Sequence, residues 1–447
     1  MEKKTIFITV TLLIAFIGLF MLINKLNKDD LSISPSLIPR TNDSNVSAEY
    51  LNAQRTVDFY RKKIKNNSED PKNYVELAQV YLQEARVTGL HHEYMVHAES
   101  LINTALDIDP GNFEALVTKA TILMIYHRFN DAKQLVLKAV GQNPYNSTAY
   151  GVLCDSYVES GDYENAVITC DKMLSIRPDI KSYARASYLR EIYGELDASI
   201  EAMKLAADAG ITGQESRAWA LYNLGNLFLI SGKIDTAAFI YSGILQERPN
   251  YSYAYNGLSK IMIAKGNYTK AIEYLVKASQ ITPDHTFIEQ LAYIYLITGE
   301  KESKEEMIKK VLKTFDQHES DGWNVNREFS HFCSIHNIKL SESLERMEDE
   351  YEKSPDNYDV LKLYAWLLHK NKQHEKALRL IKKATKFGRY DPILYYYAGV
   401  IFADAGKKKD ALEYLQKSFD EILYLHPIAF EDARSQISTL EHIAYAH

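Results

Sequence analysis

The sequence has little cysteine and no excess of positive charge. Three cysteines in 447 residues are too few to hold a fold together with disulfides. The net charge at pH 7 is −7, whereas nucleic-acid-binding proteins concentrate basic residues on one surface. These two absences exclude a disulfide-framework protein and argue against a nucleic-acid partner.

The motifs of common catalytic sites are also missing. The chain contains neither form of the glycine-rich phosphate-binding loop, nor the Gly-x-Ser-x-Gly turn that carries a nucleophilic serine. His92 and His97 are five residues apart, whereas two zinc-binding histidines on one helix face need a spacing of four. His331, Cys333 and His336 would supply at most two ligands on one face, fewer than a structural zinc needs. We therefore expect no catalytic residue, no metal site and no cofactor.

The amino terminus carries one long apolar run, residues 6–23, without a charged residue. A helix of this length would measure roughly 27 Å, close to the thickness of the hydrocarbon core of a bilayer. The run ends without the small residues that mark a signal-peptidase site. We therefore interpret residues 1–28 as an uncleaved transmembrane anchor. A cleaved signal peptide and a buried core helix are the alternatives.

Lysines flank this run on both sides, so charge alone gives only a weak bias in orientation. Lys3 and Lys4 precede it, and Lys25 and Lys28 follow it. Because few residues come before the anchor, we expect the amino terminus inside and the body outside the cytoplasm. In a double-membraned bacterium this describes a single-pass inner-membrane protein with a periplasmic body. Residues 29–46, which contain proline, serine and asparagine, predict a tether.

Much of the remaining chain repeats itself about every 34 residues. Pro110, Pro144 and Pro178 are 34 residues apart, as are Pro249 and Pro283. A glycine followed five residues later by a small residue keeps the same period, at Gly161, Gly194, Gly232 and Gly266, and recurs at Gly406. Glycine suits a tight turn between two helices, and small residues let the paired helices approach closely. The pattern predicts consecutive helical hairpins.

This combination of period, turn glycine, small crossing residues and exit proline resembles the tetratricopeptide repeat. The resemblance implies an all-α, right-handed α-α solenoid of about ten hairpins over residues 71–427, whose concave face usually binds another protein. A helix over residues 47–70 would cap the start of the stack as a half-repeat. Residues 428–447 would form a capping helix at its end.

Other stretches extend the resemblance to a broad group of exported bacterial tetratricopeptide proteins. Residues 182–191, 217–219 and 396–399 look like the corresponding parts of that group. The likeness covers most of residues 50–430. The group has no assigned activity, so the resemblance informs the fold rather than the function.

In a tetratricopeptide solenoid, the first helix of each hairpin lines the concave face. The predicted groove residues are Tyr188, Trp219, Tyr222, Asn226, Tyr253, Asn256, Lys260 and Tyr293, with Trp366 and Tyr396 in later hairpins. Aromatic residues with polar tips are concentrated at interfaces, and asparagine can both donate to and accept from a peptide backbone. We expect the residues from Trp219 to Asn256 in this set to form one contiguous, exposed patch. The alternative is that the aromatics pack between adjacent first helices.

Three further residues call for an interpretation. Cys154 and Cys170 fall where the two helices of one predicted hairpin cross, so we expect them within contact distance. They serve either as small packing residues or as a disulfide in an oxidising compartment. Arg190 stands where other hairpins have an aromatic residue facing the partner helix, and we expect it to form a structural ion pair or a ligand contact.

These features favour a non-enzymatic, membrane-anchored scaffold that binds a protein or peptide partner in its concave groove outside the cytoplasm. One alternative is a secreted or periplasmic binding protein for a peptide or a saccharide. An enzyme that uses the groove is a further alternative, although the sequence supplies no convergent acid, base or nucleophile for it. The sequence carries no signal for the partner's identity or the oligomeric state.

Overall fold

The computed structural model describes residues 35–40, 47–387, 390–420 and 425–445, and its regular elements there are 22 α-helices, without a strand. The prediction of an all-α fold is confirmed. The described residues form two compact units, which divide between Thr118 and Lys119. The predicted anchor, residues 1–28, lies outside the described residues. Within the described part, no helix combines the length and the apolar character needed to cross a bilayer.

The first unit contains α1 (Ala48–Asn66), α2 (Pro71–Thr88), α3 (His91–Ile108) and the beginning of α4 (Phe113–Ile125). Helix α2 begins where the Asp70 side chain accepts a hydrogen bond from Lys72 N, and Pro71 occupies the first turn. It ends at Gly89, which adopts the left-handed conformation with φ 73°. The rings of Tyr81 and Tyr94 then stack between α2 and α3 with centroids 5.9 Å apart. Capping and aromatic packing together define this hairpin.

Part of the predicted tether, residues 35–40, packs against the first unit rather than lying free. The Tyr81 hydroxyl donates to Pro35 O at 2.6 Å, and Ile38 N donates to the Tyr94 hydroxyl at 2.9 Å. Arg40 is buried and its Nε donates to Glu84 Oε2 at 3.0 Å. The expectation of a tether is therefore wrong for these six residues, because Arg40 finds a buried carboxylate partner on α2.

The second unit contains the end of α4 and eighteen further helices. They are α5 (Phe129–Gln142), α6 (Ser147–Glu159), α7 (Tyr163–Ile176), α8 (Ile180–Ile192), α9 (Leu196–Asp208), α10 (Glu215–Ile230), α11 (Ile234–Glu247), α12 (Ser252–Ala264), α13 (Tyr268–Ile281), α14 (His285–Thr298), α15 (Lys301–Ser320), α16 (Asn326–His336), α17 (Leu340–Lys353), α18 (Tyr358–Lys370), α19 (His374–Ala384), α20 (Pro392–Asp404), α21 (Lys408–Asp420) and α22 (Pro427–Tyr445). Each even-numbered helix from α6 to α20 packs against the helix that follows it. The second unit is thus built from consecutive helical hairpins.

Small residues let the helices of a hairpin approach closely, as the α8–α9 pair illustrates. Gly194 turns the chain between these helices with φ 75°. Ser187 and Ser199 then meet at the crossing point, with their hydroxyl oxygens 2.9 Å apart and Ser187 donating to Ser199 O at 2.8 Å. Both serines are buried, and their mutual hydrogen bonds remove the cost of burying hydroxyl groups.

A second close approach places one buried tyrosine between two glycines of neighbouring first helices. A Cβ atom added to Gly225 of α10 would lie 2.4 Å from Tyr241 Cε1, and one added to Gly257 of α12 would lie 2.6 Å from the same atom. Only glycine leaves room for this ring. Tyr241 of α11 is fully buried, and its hydroxyl donates to Asn226 Oδ1 at 2.9 Å. The ring thereby positions a polar side chain of the predicted groove.

Helices α16 and α18 begin beside the much earlier α6–α7 hairpin. Asn357 Nδ2 donates to Val158 O at 3.2 Å, and Tyr358 N donates to the Tyr163 hydroxyl at 3.0 Å. The rings of Tyr163 and Phe387 lie 5.2 Å apart. We call this packing the return contact. It brings first helices that are distant in sequence to the same region of the second unit.

Candidate functional site

The predicted groove residues of α10 and α12 occupy equivalent positions in two adjacent hairpins. Tyr222 and Asn226 of α10 are four residues apart, as are Asn256 and Lys260 of α12, so each pair lies on one face of its helix. Successive first helices α10 and α12 pack side by side. The two pairs therefore become neighbours in space.

These four side chains form one hydrogen-bonded group, which we call the inner polar cluster: Tyr222, Asn226, Asn256 and Lys260. Lys260 Nζ lies 3.3 Å from both the Tyr222 hydroxyl and Asn226 Oδ1. Asn256 Nδ2 donates to the Tyr222 hydroxyl at 3.2 Å. The ammonium group also lies 5.5 Å from the centroid of the Tyr222 ring, within range of a cation–π contact.

Two polar atoms of the inner polar cluster keep unused binding capacity. Asn256 is 4% exposed, and its Oδ1 is buried without a hydrogen-bond partner among the described residues. Lys260 contacts only neutral oxygens, and no described carboxylate forms an ion pair with it. A buried acceptor without a partner costs about 1–3 kcal/mol. Among the described residues, the cluster therefore has one acceptor without a hydrogen-bond partner next to one cation without a counter-ion.

Aromatic rings continue the cluster toward α14. The rings of Tyr222 and Tyr253 lie 5.7 Å apart, and Tyr253 meets Phe287 at 5.5 Å. The Tyr253 hydroxyl donates to Asp284 Oδ2 at 2.7 Å. Burial, with the nearby Asp284 charge, raises the pKa of Tyr253 above its ordinary value, so its hydroxyl stays protonated and donates.

The expectation of an exposed patch from Trp219 to Asn256 is wrong. Asn256 is buried, and Trp219, Tyr222, Asn226 and Tyr253 are all partly buried. Trp219 packs against the apolar cluster of α8, α9 and α10, whereas Tyr222 and Tyr253 pack against that of α10, α11 and α12. The side chains mostly contact one another and the neighbouring hairpins, because the first helices pack directly against each other.

Trp366 and Tyr396 of the later hairpins are also buried, each 8% exposed. The Trp366 ring stacks on Tyr397 with centroids 4.1 Å apart, and the Tyr396 hydroxyl donates to Asp432 Oδ2 at 2.7 Å. They pack between first helices, which is the alternative that the sequence left open.

The remaining two groove residues differ in their access to solvent. Tyr188 of α8 keeps 41% of its surface exposed, although the surrounding protein raises its pKa well above the ordinary value. Tyr293 of α14 is partly buried, and its hydroxyl lies near the backbone of Ile428. Burial raises the pKa of Tyr293 to about 12. Tyr188 thus lines a water-accessible space, while Tyr293 lies near the first turn of α22.

Side chains that the sequence did not single out converge near Lys260. Lys362 of α18 forms ion pairs with Asp391 at 2.6 Å and Asp359 at 2.9 Å. His426, just before α22, lies close enough to Lys260, Lys362 and Asp391 for their charges to act on it. Burial lowers the pKa of His426 to about 4, so the ring is neutral at physiological pH. No sequence spacing links these residues, because they belong to α12, α18 and the residues that directly precede α20 and α22.

Cys154 and Cys170 lie in the same apolar cluster of α6, α7 and α8, both as buried free thiols. Cys154 Sγ donates to Ala166 O at 3.4 Å, and Cys170 Sγ donates to Ser182 O at 3.9 Å, so each thiol donates to the helix that follows its own. Oxidation of this pair to a disulfide stays a prediction. Arg190 is exposed and donates to Ala198 O at 2.9 Å, so the expected structural ion pair is wrong; a backbone carbonyl serves as its partner.

Comparisons with known proteins bear on the repeats. Residues 228–302 match the family model described as tetratricopeptide repeat. A TPR repeat-containing protein of Methanocaldococcus jannaschii is 24% identical over 278 residues, covering 60% of this chain and 44% of that protein. The Protein CTR9 homolog of Arabidopsis thaliana is 21% identical over 377 residues, covering 82% of this chain and 30% of that protein. A solved thermophilic TPR protein of Thermus thermophilus is 19% identical, with a TM-score of 0.38, and covers 43% of this chain and 99% of its own.

The hairpins of the second unit define an α-helical repeat protein. Residues 228–302 match the tetratricopeptide repeat, and the helical hairpins on either side of them have the same architecture. Repeats of this class build surfaces for protein–protein interaction. The chain spans less than half the length of the curated relatives it matches.

Proposed function

We propose that this protein is a non-enzymatic, membrane-anchored scaffold that binds an extended peptide segment of a protein partner at the inner polar cluster, outside the cytoplasm. The observation that carries the proposal is Lys260, a partly buried cation that pairs with no described carboxylate and lies 3.3 Å from the Tyr222 hydroxyl. An extended segment presents a carbonyl or carboxylate oxygen for Lys260, while the buried Asn256 positions the Tyr222 hydroxyl through its Nδ2. The fit is best for a segment with an acidic side chain, because a charge-assisted hydrogen bond is stronger than a neutral one.

The surrounding aromatic rings support a peptide rather than a small ion as the ligand. Tyr222 and Tyr253 offer flat apolar surface beside the polar atoms, and Tyr188 lines a space that water reaches. Aromatic residues have few rotatable bonds and therefore lose little entropy when they bind. The backbone of Ile428 lies near Tyr293 of α14, so we place the partner on the side of α10 and α12.

Site-specific photo-crosslinking tests this placement in the native cell. A photoreactive amino acid is placed at Tyr222 and, as a matched control, at Phe239 of α11, which is 79% exposed. We expect a defined crosslinked partner from position 222 and none of the same mass from position 239. A partner captured from position 239 alone would overturn the assigned site while leaving a scaffold role intact.

Peptides from the crosslinked partner then allow the chemistry to be measured. Asn256→Ala and Lys260→Gln should each weaken binding in isothermal titration calorimetry by about tenfold, the equivalent of 1.4 kcal/mol. Phe239→Ala should bind like wild type. Equal affinities for all four proteins would reject the inner polar cluster as the binding site.

The anchor and the topology rest on the apolar run at residues 6–23. We expect the protein to resist carbonate extraction from membranes, and carboxy-terminal reporters to be active only outside the cytoplasm. A mature protein that begins after residue 20 would favour the secreted binding protein instead. An extracytoplasmic body would also let the Cys154–Cys170 pair oxidise, which a mass measurement under non-reducing conditions detects as the loss of two hydrogens.

A further inference from the structure

Three potential metal ligands meet where the α18–α19 hairpin contacts the end of α20. His369 lies in the last turn of α18, His374 begins α19, and Asp404 ends α20. One ligand atom from each side chain lies within 4.8 Å of the other two. Ligands around a zinc ion, at about 2.0–2.2 Å from the metal, are about 3–4 Å apart. Small side-chain rotations would therefore bring the three ligand atoms onto one ion.

One ring nitrogen of each histidine has no hydrogen-bond partner among the described residues. Nδ1 of His369 and Nδ1 of His374 are both buried without a hydrogen-bond partner. The nearest carboxylate oxygen to His369 Nδ1 is Asp404 Oδ2 at 3.6 Å, beyond hydrogen-bond distance. Two orphaned polar atoms facing one carboxylate are unusual in a native core, where buried polar groups are almost always satisfied. A bound cation would satisfy all three groups at once.

Packing holds the His369 ring ready for coordination. The ring stacks on Trp366 with centroids 5.1 Å apart and planes 18° apart, and its side chain is only 12% exposed. A neutral imidazole has a lone pair for a metal, whereas a protonated one would form an ion pair with Asp404.

Two of the helix ends favour a positive ion here as well. His369 and Asp404 both lie in the last turn of their helices, where unpaired carbonyl groups give the helix its negative end. The neighbouring cation Lys370 is engaged elsewhere, since its Nζ donates to Asn337 Oδ1 at 2.6 Å and lies over the Trp366 ring. The carboxylate and the carboxy-terminal ends of α18 and α20 favour a cation, whereas the amino-terminal end of α19 and the charge of Lys370 oppose one.

We infer that His369, His374 and Asp404 form a binding site for a divalent transition metal, with Zn²⁺ as the ion that best suits two imidazoles and one carboxylate. Three protein ligands leave a coordination position open, which water or a ligand atom of a bound protein can take. Such a site would join α18, α19 and α20 and so stabilise two consecutive hairpins. It is independent of the inner polar cluster and of the proposed partner.

Calorimetric titration of Zn²⁺ into the untagged, detergent-solubilised full-length protein tests the site after removal of metals with a chelator. His369→Gln, His374→Gln and Asp404→Asn remove the ligands one at a time. His97→Gln, which changes a partly buried histidine of α3, is the matched control. Titration with Co²⁺ adds a spectroscopic readout, because its visible absorption reports coordination by nitrogen and oxygen ligands.

We expect one equivalent of Zn²⁺ to bind, with affinity reduced at least about tenfold in each histidine variant and reduced in Asp404→Asn. The control should bind like wild type, and Zn²⁺ should raise the melting temperature of wild type but not of His374→Gln. His374 lies at a partly exposed helix start, so circular dichroism should show its variant folded even if His369→Gln is not. Absence of stoichiometric binding by wild type, or equal binding by wild type and the His374 variant, would overturn the proposal.

Discussion

Arg327 Nη1 lies 2.7 Å from Glu159 Oε2, although 168 residues separate them in the chain. The same guanidinium donates through Nε to Glu350 Oε2 at 3.1 Å. Burial raises the pKa of the Glu159 carboxyl, and the positive charge of Arg327 partly offsets this. The ion pair lies in the return contact and links the end of α6 to the beginning of α16. A stack of repeats in which each hairpin touched only its neighbours would contain no such pair.

Replacing Arg327 by glutamine should destabilise the second unit substantially. Glu159 would then be left largely buried without its cation, while Glu350 would keep only the more distant Lys353 at 3.7 Å. Removing one partner of a buried ion pair costs about 3–5 kcal/mol. Arg128→Gln is the control, because the Arg128–Asp131 pair is more than half exposed and should contribute little. Chemical denaturation gives both free energies of unfolding. Equal losses in the two variants would show that the return contact does not stabilise the fold.

Gly161→Ala should be more harmful than the same change at Gly266. Both glycines have positive φ, 78° and 70°, so alanine is strained at either position by about 1 kcal/mol. A Cβ atom at Gly161 would also lie 2.3 Å from the carbonyl carbon of Asp356, whereas nothing lies within 4 Å at Gly266. We expect a further loss of about 1–3 kcal/mol for Gly161→Ala alone. A similar loss at both positions in thermal unfolding would mean that backbone strain, rather than the return contact, makes Gly161 necessary.

Two helical glycines of one hairpin should respond to alanine with opposite signs. Gly243→Ala meets open space and should stabilise α11 by about 0.5–1 kcal/mol, because alanine is the better helix former. Gly225→Ala would force Tyr241 away from its site and should cost about 1–3 kcal/mol. The displaced hydroxyl would also release Asn226 Oδ1, so peptide binding should weaken as well. A neutral or stabilising Gly225→Ala in urea denaturation would contradict the glycine–tyrosine–glycine packing.

Stability should fall as the pH rises toward 8, and Glu289 should account for part of this. Burial, with the charges of Asp284 and Glu328, raises the pKa of Glu289 to about 8, whereas an unfolded glutamate titrates near about 4.3. Between these two values the native state holds a proton that the unfolded state has lost. Unfolding therefore becomes easier with each pH unit, by up to about 1.4 kcal/mol.

Glu289→Gln removes this titrating group, so the free energy of unfolding of the variant should lose this pH dependence. Relative to wild type, the variant should therefore become more stable from pH 5 to pH 8. Free energies of unfolding measured at several pH values check the sign and the window. His285 Nε2 lies 3.5 Å from Glu289 Oε1, and Glu289→Gln keeps a hydrogen-bonding group of similar size there. A difference between the two proteins that stays constant over this range would show that Glu289 has an ordinary pKa.

Local chemistry explains why the hairpins could be predicted and the exposed patch could not. The turn at Gly194 and the contact between Ser187 and Ser199 depend only on residues within one hairpin, so the sequence pattern predicts both. The helical register placed Tyr222 and Asn256 on matching faces, which is also a local property. Register does not say what a face contacts, and Asn256 is buried because α10 and α12 pack together.

The sequence by itself determined the helices and the turns between paired helices, because capping, left-handed glycines and small crossing residues act over a few neighbouring positions. Only the tertiary structure decided which distant side chains meet: Arg327 with Glu159, Tyr358 with Tyr163, and the His369–His374 pair with Asp404. Small differences in hairpin packing accumulate along a series of repeats. The spacing of residues in the sequence therefore does not predict these long-range contacts. The physical reason is that hairpin formation is local, whereas the return contact depends on the summed geometry of all the hairpins between its two sides.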